Sequence, residues 1–466
     1  MVLSNEDKLE YSPDELVSSL SQDVSLTKRI RMKEQKTARE LRRLRTSPTF
    51  KLSVLFIKSF ERPWRLLYLP FSMLLLMFNT LRGRLGRKPM ENASEEEIGR
   101  LMVGNNLRTI VFFPTNGVGF GHFTRLFAIA RRVRVLDPDV EVLFFTTMPT
   151  LHLLESQGIP CYHIPGRNVF SDVSSSEWNM VCEEHLSTAF TIHNPSLFVF
   201  DGTYPYRGML NAIRGRDEIG KIWVRRGTFR KGATRIPSDS IDHFDVIVTP
   251  RDSLEEAKDD TKEFKAQVFD CEPIIYASED DLNPRQHLRS RLGIPLDALV
   301  CYVQLGAGNI NDIHSDISIT LSELAKYEDV YTVVGESMLG KPLEIGGPRV
   351  RILRDYPNSV YFKSFDFAII AGGYNSYHEV IRFGLPSISY PNLNTGMDDQ
   401  LARVQVAEDA GAMIVLEDVN QETVSKSISK MMDQSIRENM REATVGLSHE
   451  NGADQVAQYL IELLDA

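Results

Sequence analysis

Asp366–Glu379, DFAIIAGGYNSYHE, is the stretch on which the fold turns. The apolar run from Asp366 to Gly372 reads as a buried strand, and Gly372 with Gly373 breaks it. Asn375 and Ser376 then stand as helix caps, and a helix carrying His378 and Glu379 near its start follows. A strand, a glycine turn and a helix in that order form the repeating unit of a parallel α/β sheet. Its chemistry is suggestive, because a carboxylate in the first helical turn, here Glu379, is placed to accept both hydroxyls of a ribose.

The same pattern extends on both sides. The next apolar run, PSISYP (Pro386 to Pro391), leads into Asn392-Leu393-Asn394, and Asp398-Asp399-Gln400 open another helix, offering acceptors and an amide to sugar hydroxyls. Upstream stand ALVCYVQL (Ala298 to Leu305), VYTVVG (Val330 to Gly335) and RVRIL (Arg349 to Leu353). The first of these ends in Gly306-Ala307-Gly308-Asn309, ahead of a helix beginning near Ile313. Small residues and free amides there suit a diphosphate held without a metal, or else form a plain tight turn. Polar clusters after successive strands mark the carboxyl edge of a parallel sheet, where open α/β folds bind ligands.

A similar half precedes this one. RTIVFFPT (Arg108 to Thr115), DVEVLFFTT (Asp139 to Thr147), SLFVFD (Ser196 to Asp201), KIWVRR (Lys221 to Arg226) and FDVIVTP (Phe244 to Pro250) read as buried strands, with helices over Phe123 to Leu136 and Tyr206 to Arg214 between them. After the first strand, Gly117, Gly119 and Gly121 alternate up to His122, so the backbone can approach a ligand closely. The spacing is not Gly-x-Gly-x-x-Gly, and no acid closes the next strand at Thr146 or Thr147, which disfavours a dinucleotide. Histidine as a residue type ordinarily changes charge near neutrality, so His122 is a candidate base for a sugar hydroxyl, or else a residue that caps or packs the helix. Asp201, at the end of a strand, either orients His122, replaces it as base, or belongs to a turn. Arg225, Arg226 and Arg230 either meet an acceptor phosphate or carboxylate or form a surface ion-pair network.

At 466 residues and 42% hydrophobic content the chain has enough apolar material for two globular halves and an appendage. A net charge of -10 argues against a general nucleic-acid binder, so no nucleic-acid partner is expected. Positive charge is nonetheless concentrated between Lys28 and Arg65, where 13 Lys or Arg stand against three acids, and it continues at Arg82, Arg84, Arg87 and Lys88. Interleaved with Leu, Phe, Trp64 and Tyr68, these residues predict basic amphipathic helices that lie on an anionic membrane surface, or else a face that packs on the protein itself. The most apolar run, Leu66 to Phe78, spans 13 residues and contains Pro70, too short for the ~20 apolar residues of a spanning helix. Cys161, Cys182, Cys271 and Cys301 lack metal-ligand spacing and suggest neither a zinc site nor a disulfide framework. No secretory signal opens the chain, and a cytoplasmic location is expected.

Val118-Gly119-Phe120-Gly121-His122 and the segment from Gly372 through Gln400 resemble glycosyltransferase family 28, over roughly Arg108 to the C-terminus. The best-known enzyme of that family adds N-acetylglucosamine to an undecaprenyl-linked peptidoglycan precursor. The resemblance implies a GT-B fold, two Rossmann-like domains facing a cleft, with the nucleotide-sugar donor bound mainly by the second. It implies that His122 is the acceptor-side base and that Gly306 to Asn309 form the diphosphate loop. Glu379 becomes the ribose ligand, and Asp399 with Gln400 the contacts to the donor sugar. One departure stands out: Thr124 occupies the position, two residues past the His, where the family usually has proline.

The expectation is therefore an α/β GT-B protein with a helical, membrane-associating extension at 1–104, an acceptor domain at 105–272, a nucleotide-sugar domain at 273–448 and a packing helix at 449–466. Its expected activity is inverting transfer of a hexose or N-acetylhexosamine, on the inner face of the cell membrane, from a nucleoside diphosphate (UDP first among them) to a lipid-linked or envelope glycan. No cofactor is required in this scheme. A nucleotide-sugar 2-epimerase and a catalytically silent glycan-binding protein are the alternatives.

Overall fold

The computed structural model describes Pro70, Met73, Leu74 and residues 108–115, 120–170, 173–225, 238–253, 266–306, 313–338, 343–395 and 398–465. The chain divides into two units, Met1–Glu97 and Ile98–Ala466. Of the first, Pro70, Met73 and Leu74 are helical, and the basic amphipathic helices expected between Lys28 and Lys88 otherwise lie outside the described residues. No helix among the described residues is long and apolar enough to cross a membrane.

The second unit contains two parallel sheets. In the first, β1 (Thr109–Pro114), β2 (Glu141–Thr146), β3 (Cys161–His163), β4 (Leu197–Asp201), β5 (Gly220–Val224), β6 (Val246–Pro250) and β7 (Gln267–Cys271) lie in the order 3-2-1-4-5-6-7. In the second, β8 (Leu299–Gln304), β9 (Val330–Gly335), β10 (Val350–Leu353), β11 (Phe367–Ala371), β12 (Ser387–Tyr390) and β13 (Met413–Val415) follow the order 10-9-8-11-12-13. Strand order reverses at β1/β4 and again at β8/β11, and a crevice opens at the carboxyl ends of the strands wherever such a reversal occurs.

The uninterrupted apolar strands follow from burial on both faces. Ile110, Phe112 and Phe144 meet α1 (Gly121–Leu136) on one side of the first sheet. On the other, Val111, Phe113 and Phe145 meet α2 (Ser175–His193) and α3 (Arg207–Ile213). In the second sheet, α4 (Ile313–Leu324) covers Cys301, Val303 and Phe367, while α5 (Tyr374–Arg382) and α6 (Gln400–Asp409) cover Val300, Tyr302 and Ile370; α7 (Gln421–Met432) joins α4.

The final helix, α8 (Gly452–Asp465), leaves the half that precedes it. Its Ala453, Val456, Ala457 and Leu460 pack with Leu126 and Ile129 of α1, and Tyr459 stacks on Phe269 of β7 with ring centroids 4.1 Å apart. Gly452 permits the return, since a Cβ there would lie 1.8 Å from the Glu272 carbonyl oxygen. Gly452→Ala is therefore expected to force the helix off its seat at a cost of about 1–3 kcal/mol. A fall of several degrees in the melting temperature, with intact far-UV dichroism, is the measurement that checks this.

Candidate active site

His122 is the second residue of α1, and Asp201 closes the neighbouring strand β4. Pro114 and Asp201 are register partners, and the Thr115 amide donates to the Asp201 carbonyl at 2.9 Å, so the pairing of β1 with β4 fixes their approach. His122 Nδ1 lies 2.7 Å from Asp201 Oδ1. Arg125, three residues further along α1, donates from Nε to Oδ2 at 2.9 Å and from an Nη to Oδ1 at 2.7 Å. The Asp201 side chain is only 1% exposed. Burial pushes its carboxyl upward, but Arg125 and His122 together outweigh that and hold it below the usual value. An ionised Asp201 places the His122 proton on Nδ1 and leaves Nε2 with a lone pair. Of the alternatives left open by the sequence, the geometry favours Asp201 as the group that orients His122. Both its oxygens are occupied and it has almost no exposure to an acceptor.

Opposite stands α5. Asn375, Ser376 and Glu379 are spaced i, i+1 and i+4 and line one cavity with His122. Two details differ from the expectation. Gly373 is the N-cap and no side chain caps the helix, so Asn375 and Ser376 lie inside the first turn rather than ahead of it. Glu379 accordingly falls in the second turn. It is half-buried and accepts from Ser359 Oγ at 2.8 Å, and burial raises its carboxyl to about 7. Gly372 has a packing reason to be glycine, because a Cβ would come within 3.1 Å of Gln400 and Val404.

The cavity, of about 500 Å³, lies between the carboxyl edges of the two sheets. Gly121, Gly306, Gly373, Asp398 and Gln400 line it as well. Gly306 has φ +93°, a conformation glycine adopts without strain, while Ala307, Gly308 and Asn309 lie outside the described residues. Asp399 does not line the cavity: its carboxylate accepts from the Ala402 amide and caps α6, and Asp398 and Gln400 are the members of that triplet on the wall. Asp398 pairs with the buried Arg403 at 2.5 Å, and Gln400 Oε1 accepts from the Asn392 amide. Arg225 is not on the cavity wall; its amide donates to the Val248 carbonyl and its guanidinium stands over the Trp223 ring. Gly119, Arg226 and Arg230 lie outside the described residues.

Several lining residues escape sequence reasoning. Asp355, Tyr356, Pro357, Asn358 and Ser359 follow β10, and Glu336 follows β9, with no motif to mark them. Tyr356 also explains Thr124, whose hydroxyl accepts from the Tyr356 hydroxyl at 2.7 Å and ties α1 to the opposite half. Among the described residues, no group of three or more His, Cys, Asp or Glu is arranged to hold a metal ion, and all four cysteines are free.

Two doubly wound parallel sheets with their carboxyl edges facing one cavity, and a last helix returning to the first, give this chain the GT-B fold, and its relatives by sequence are glycosyltransferases, which supports transferase activity. The motifs resemble those of glycosyltransferase family 28, and a relative by sequence points the same way. The chain is 25% identical over 317 residues to the UDP-N-acetylglucosamine–N-acetylmuramyl-(pentapeptide) pyrophosphoryl-undecaprenol N-acetylglucosamine transferase of Acetivibrio thermocellus, covering 64% of this chain and 83% of that protein. It is 23% identical over 223 residues to an uncharacterized glycosyltransferase of Methanopyrus kandleri, covering 47% of this chain and 61% of the relative. No family model matches the chain. Among solved structures, the glycotransferase of kitacinnamycin superimposes with a TM-score of 0.54 at 14% identity, over 77% of this chain and 100% of that one. CalG4, the calicheamicin glycosyltransferase, gives 0.52 at 14% identity over 78% and 99%. These structural likenesses establish the fold.

Proposed function

We propose that this enzyme moves a hexose or N-acetylhexosamine, with inversion, from a UDP-sugar to a hydroxyl of a lipid-linked or envelope-glycan acceptor at the cytoplasmic face of the membrane. The observation that carries the reading is His122, held by the buried Asp201 behind it and sharing one cavity with Glu379, Gly306 and the start of α5. His122 Nε2 takes the acceptor proton as the new C–O bond forms, and Asp201 stabilises the imidazolium. The anomeric C–O bond to the diphosphate breaks on the opposite face. The departing charge meets the Gly306 loop and the amides opening α5, so no metal is needed. Glu379 accepts the ribose hydroxyls, and Asp398 and Gln400 face the sugar.

A thermal-shift screen of UDP-, GDP- and dTDP-sugars, followed by transfer to polyprenyl-diphosphate-linked acceptors, tests the scheme. Stabilisation by a UDP-sugar together with product of inverted anomeric configuration supports it. A retained configuration, or no response to any nucleotide sugar, rejects it.

The membrane side of the proposal rests on the basic segment between Lys28 and Lys88, which apart from Pro70, Met73 and Leu74 lies outside the described residues. The full chain is expected to float with liposomes containing anionic lipid, and to be released as salt is raised, whereas a chain beginning at Asn105 stays behind. Equal flotation of the two refutes the anchor.

A further inference from the structure

Where the two halves meet beside the cavity, a tyrosine reaches from the second into the first. Tyr374 is the first residue of α5, is 4% exposed and lines the cavity. Its hydroxyl leaves its own half, donating to the Arg251 carbonyl at 3.0 Å and accepting from the Ile274 amide at 3.3 Å. Arg251 follows β6 and Ile274 follows β7; Pro250 and Cys271 of these strands are register partners, and the Arg251 amide donates to the Cys271 carbonyl at 2.8 Å. The phenol is therefore fastened to the carboxyl edge of the first sheet. Burial pushes its pKa upward, so it keeps the proton it donates.

The ring is held as well. A guanidinium carbon from each half stands near its centroid, that of Arg125 at 5.6 Å and that of Arg403 at 5.7 Å, and the His378 ring makes a T-shaped contact with centroids 4.4 Å apart. Both cations are pinned by buried carboxylates. Arg403 Nε donates to the two Asp252 oxygens at 2.8 and 3.0 Å, and Arg125 is forked onto Asp201. Any large apolar side chain could fill this space, but the place of Tyr374 gives it a consequence. Through Arg125 and Asp201 the ring stands one contact behind the group that orients His122, and its own backbone opens the helix whose first amides face the departing diphosphate. An inverting displacement needs the base, the anomeric carbon and the leaving oxygen in line, and a misplacement of about 1 Å can lower the rate about 10²-fold. His122 stands on one half and those amides on the other, so the line depends on the joint between them.

We propose that Tyr374 is a positioning residue for the transfer step: fastened to Arg251 and Ile274 and lying against Arg125, it holds the start of α5 in line with His122. The inference rests on the transfer reading above and deepens it. Glu379 and the Gly306 loop, which hold the nucleotide in that reading, both belong to the second half, so the side chain of Tyr374 governs the rate of transfer and leaves nucleotide affinity alone.

The test compares the full chain with Tyr374→Phe and Tyr374→Leu, each alone and combined with His122→Ala. Single-turnover transfer from UDP-glucose and UDP-N-acetylglucosamine to a polyprenyl-diphosphate-linked sugar is measured beside calorimetric binding of UDP. Y374F, which keeps the ring and loses both hydroxyl contacts, is expected to slow transfer about tenfold, and Y374L, which loses the ring too, about 10²-fold, with UDP affinity within about twofold in both. In the H122A background the same substitutions are expected to change the residual rate by less than about twofold, since a residue that acts by aligning the base has nothing left to align. A purely structural tyrosine would lower the melting temperature and leave this coupling at zero. Should Y374L fail to fold, Y374F is held to the same criteria. Native transfer by the folded variants, a loss of UDP affinity equal to the loss of rate, or additive effects in the H122A background would each overturn the proposal while the transfer reading stands. A parent that transfers from neither donor removes the transfer reading, and the positioning role with it.

Discussion

Replacement of His122 by Ala is expected to lower turnover by about 10²–10⁴-fold, the range of a lost general base, while nucleotide affinity stays within about twofold. The asymmetry follows from position. His122 lies on the first half, hydrogen-bonded to Asp201, whereas Glu379, Gly306 and the start of α5 belong to the second. Asp201→Asn should come close to the same loss, because an amide nitrogen presented to Nδ1 favours the other tautomer and removes the lone pair from Nε2. It also strips Arg125 of its counter-charge, so the melting temperature should fall, which H122A is expected to spare. Single-turnover rates on the three proteins, with nucleotide binding measured in parallel, decide the matter. Undiminished turnover in H122A would sink the base assignment.

Glu379→Gln is expected to weaken nucleotide binding by about 10–10³-fold at pH 8, since hydrogen bonds to a charged acceptor contribute about 1.5–3 kcal/mol each. The size of the effect depends on pH. Burial raises the Glu379 carboxyl from 4.5 to about 7, and the ionised form is the one that accepts two ribose hydroxyls. Nucleotide affinity of the parent should therefore climb as pH rises through about 7 and flatten above it, while that of E379Q stays level. Folding responds in the opposite sense. A carboxyl with a raised folded-state pKa contributes stability that is complete below 4.5 and lost as pH rises through about 7. The melting temperature of E379Q relative to the parent should rise across that window. Calorimetry and thermal melts between pH 5 and 8.5 read both trends, and a parallel pH profile in parent and variant would remove Glu379 from the nucleotide site.

These two residues were visible in the sequence because each stands at a strand-to-helix turn, where local order is enough to locate a group. Central strands were visible for a related reason. With both faces covered, Ile110–Phe113 and Phe367–Ile370 carry uninterrupted apolar runs. The edge strands β3, β7 and β13 offered no such signal; β7, with exposed Gln267, Val268 and Asp270, does not look like a strand until β6 is beside it. Helix α2 was missed although Ser174 and Glu177 form a capping box, a sign that can be read from sequence. The cap assigned to Asn375 and Ser376 went instead to Gly373, and Asp399 became a cap where a ligand was expected, because Asn, Ser and Asp suit both tasks. The partners Arg125–Asp201 and Asp252–Arg403 lie 76 and 151 residues apart, so nothing in local patterning could pair them.

The return of α8 to the first sheet bears on any attempt to re-engineer this enzyme by exchange of parts. Because the chain crosses between the halves and then crosses back, the second half is an insertion bounded at both ends by segments that belong to its neighbour. A chimera meant to import a new donor preference should stop the transplant near Ser448 and keep the native residues from Gly452 onward, so that Ala453, Val456 and Leu460 still face the α1 surface they fit.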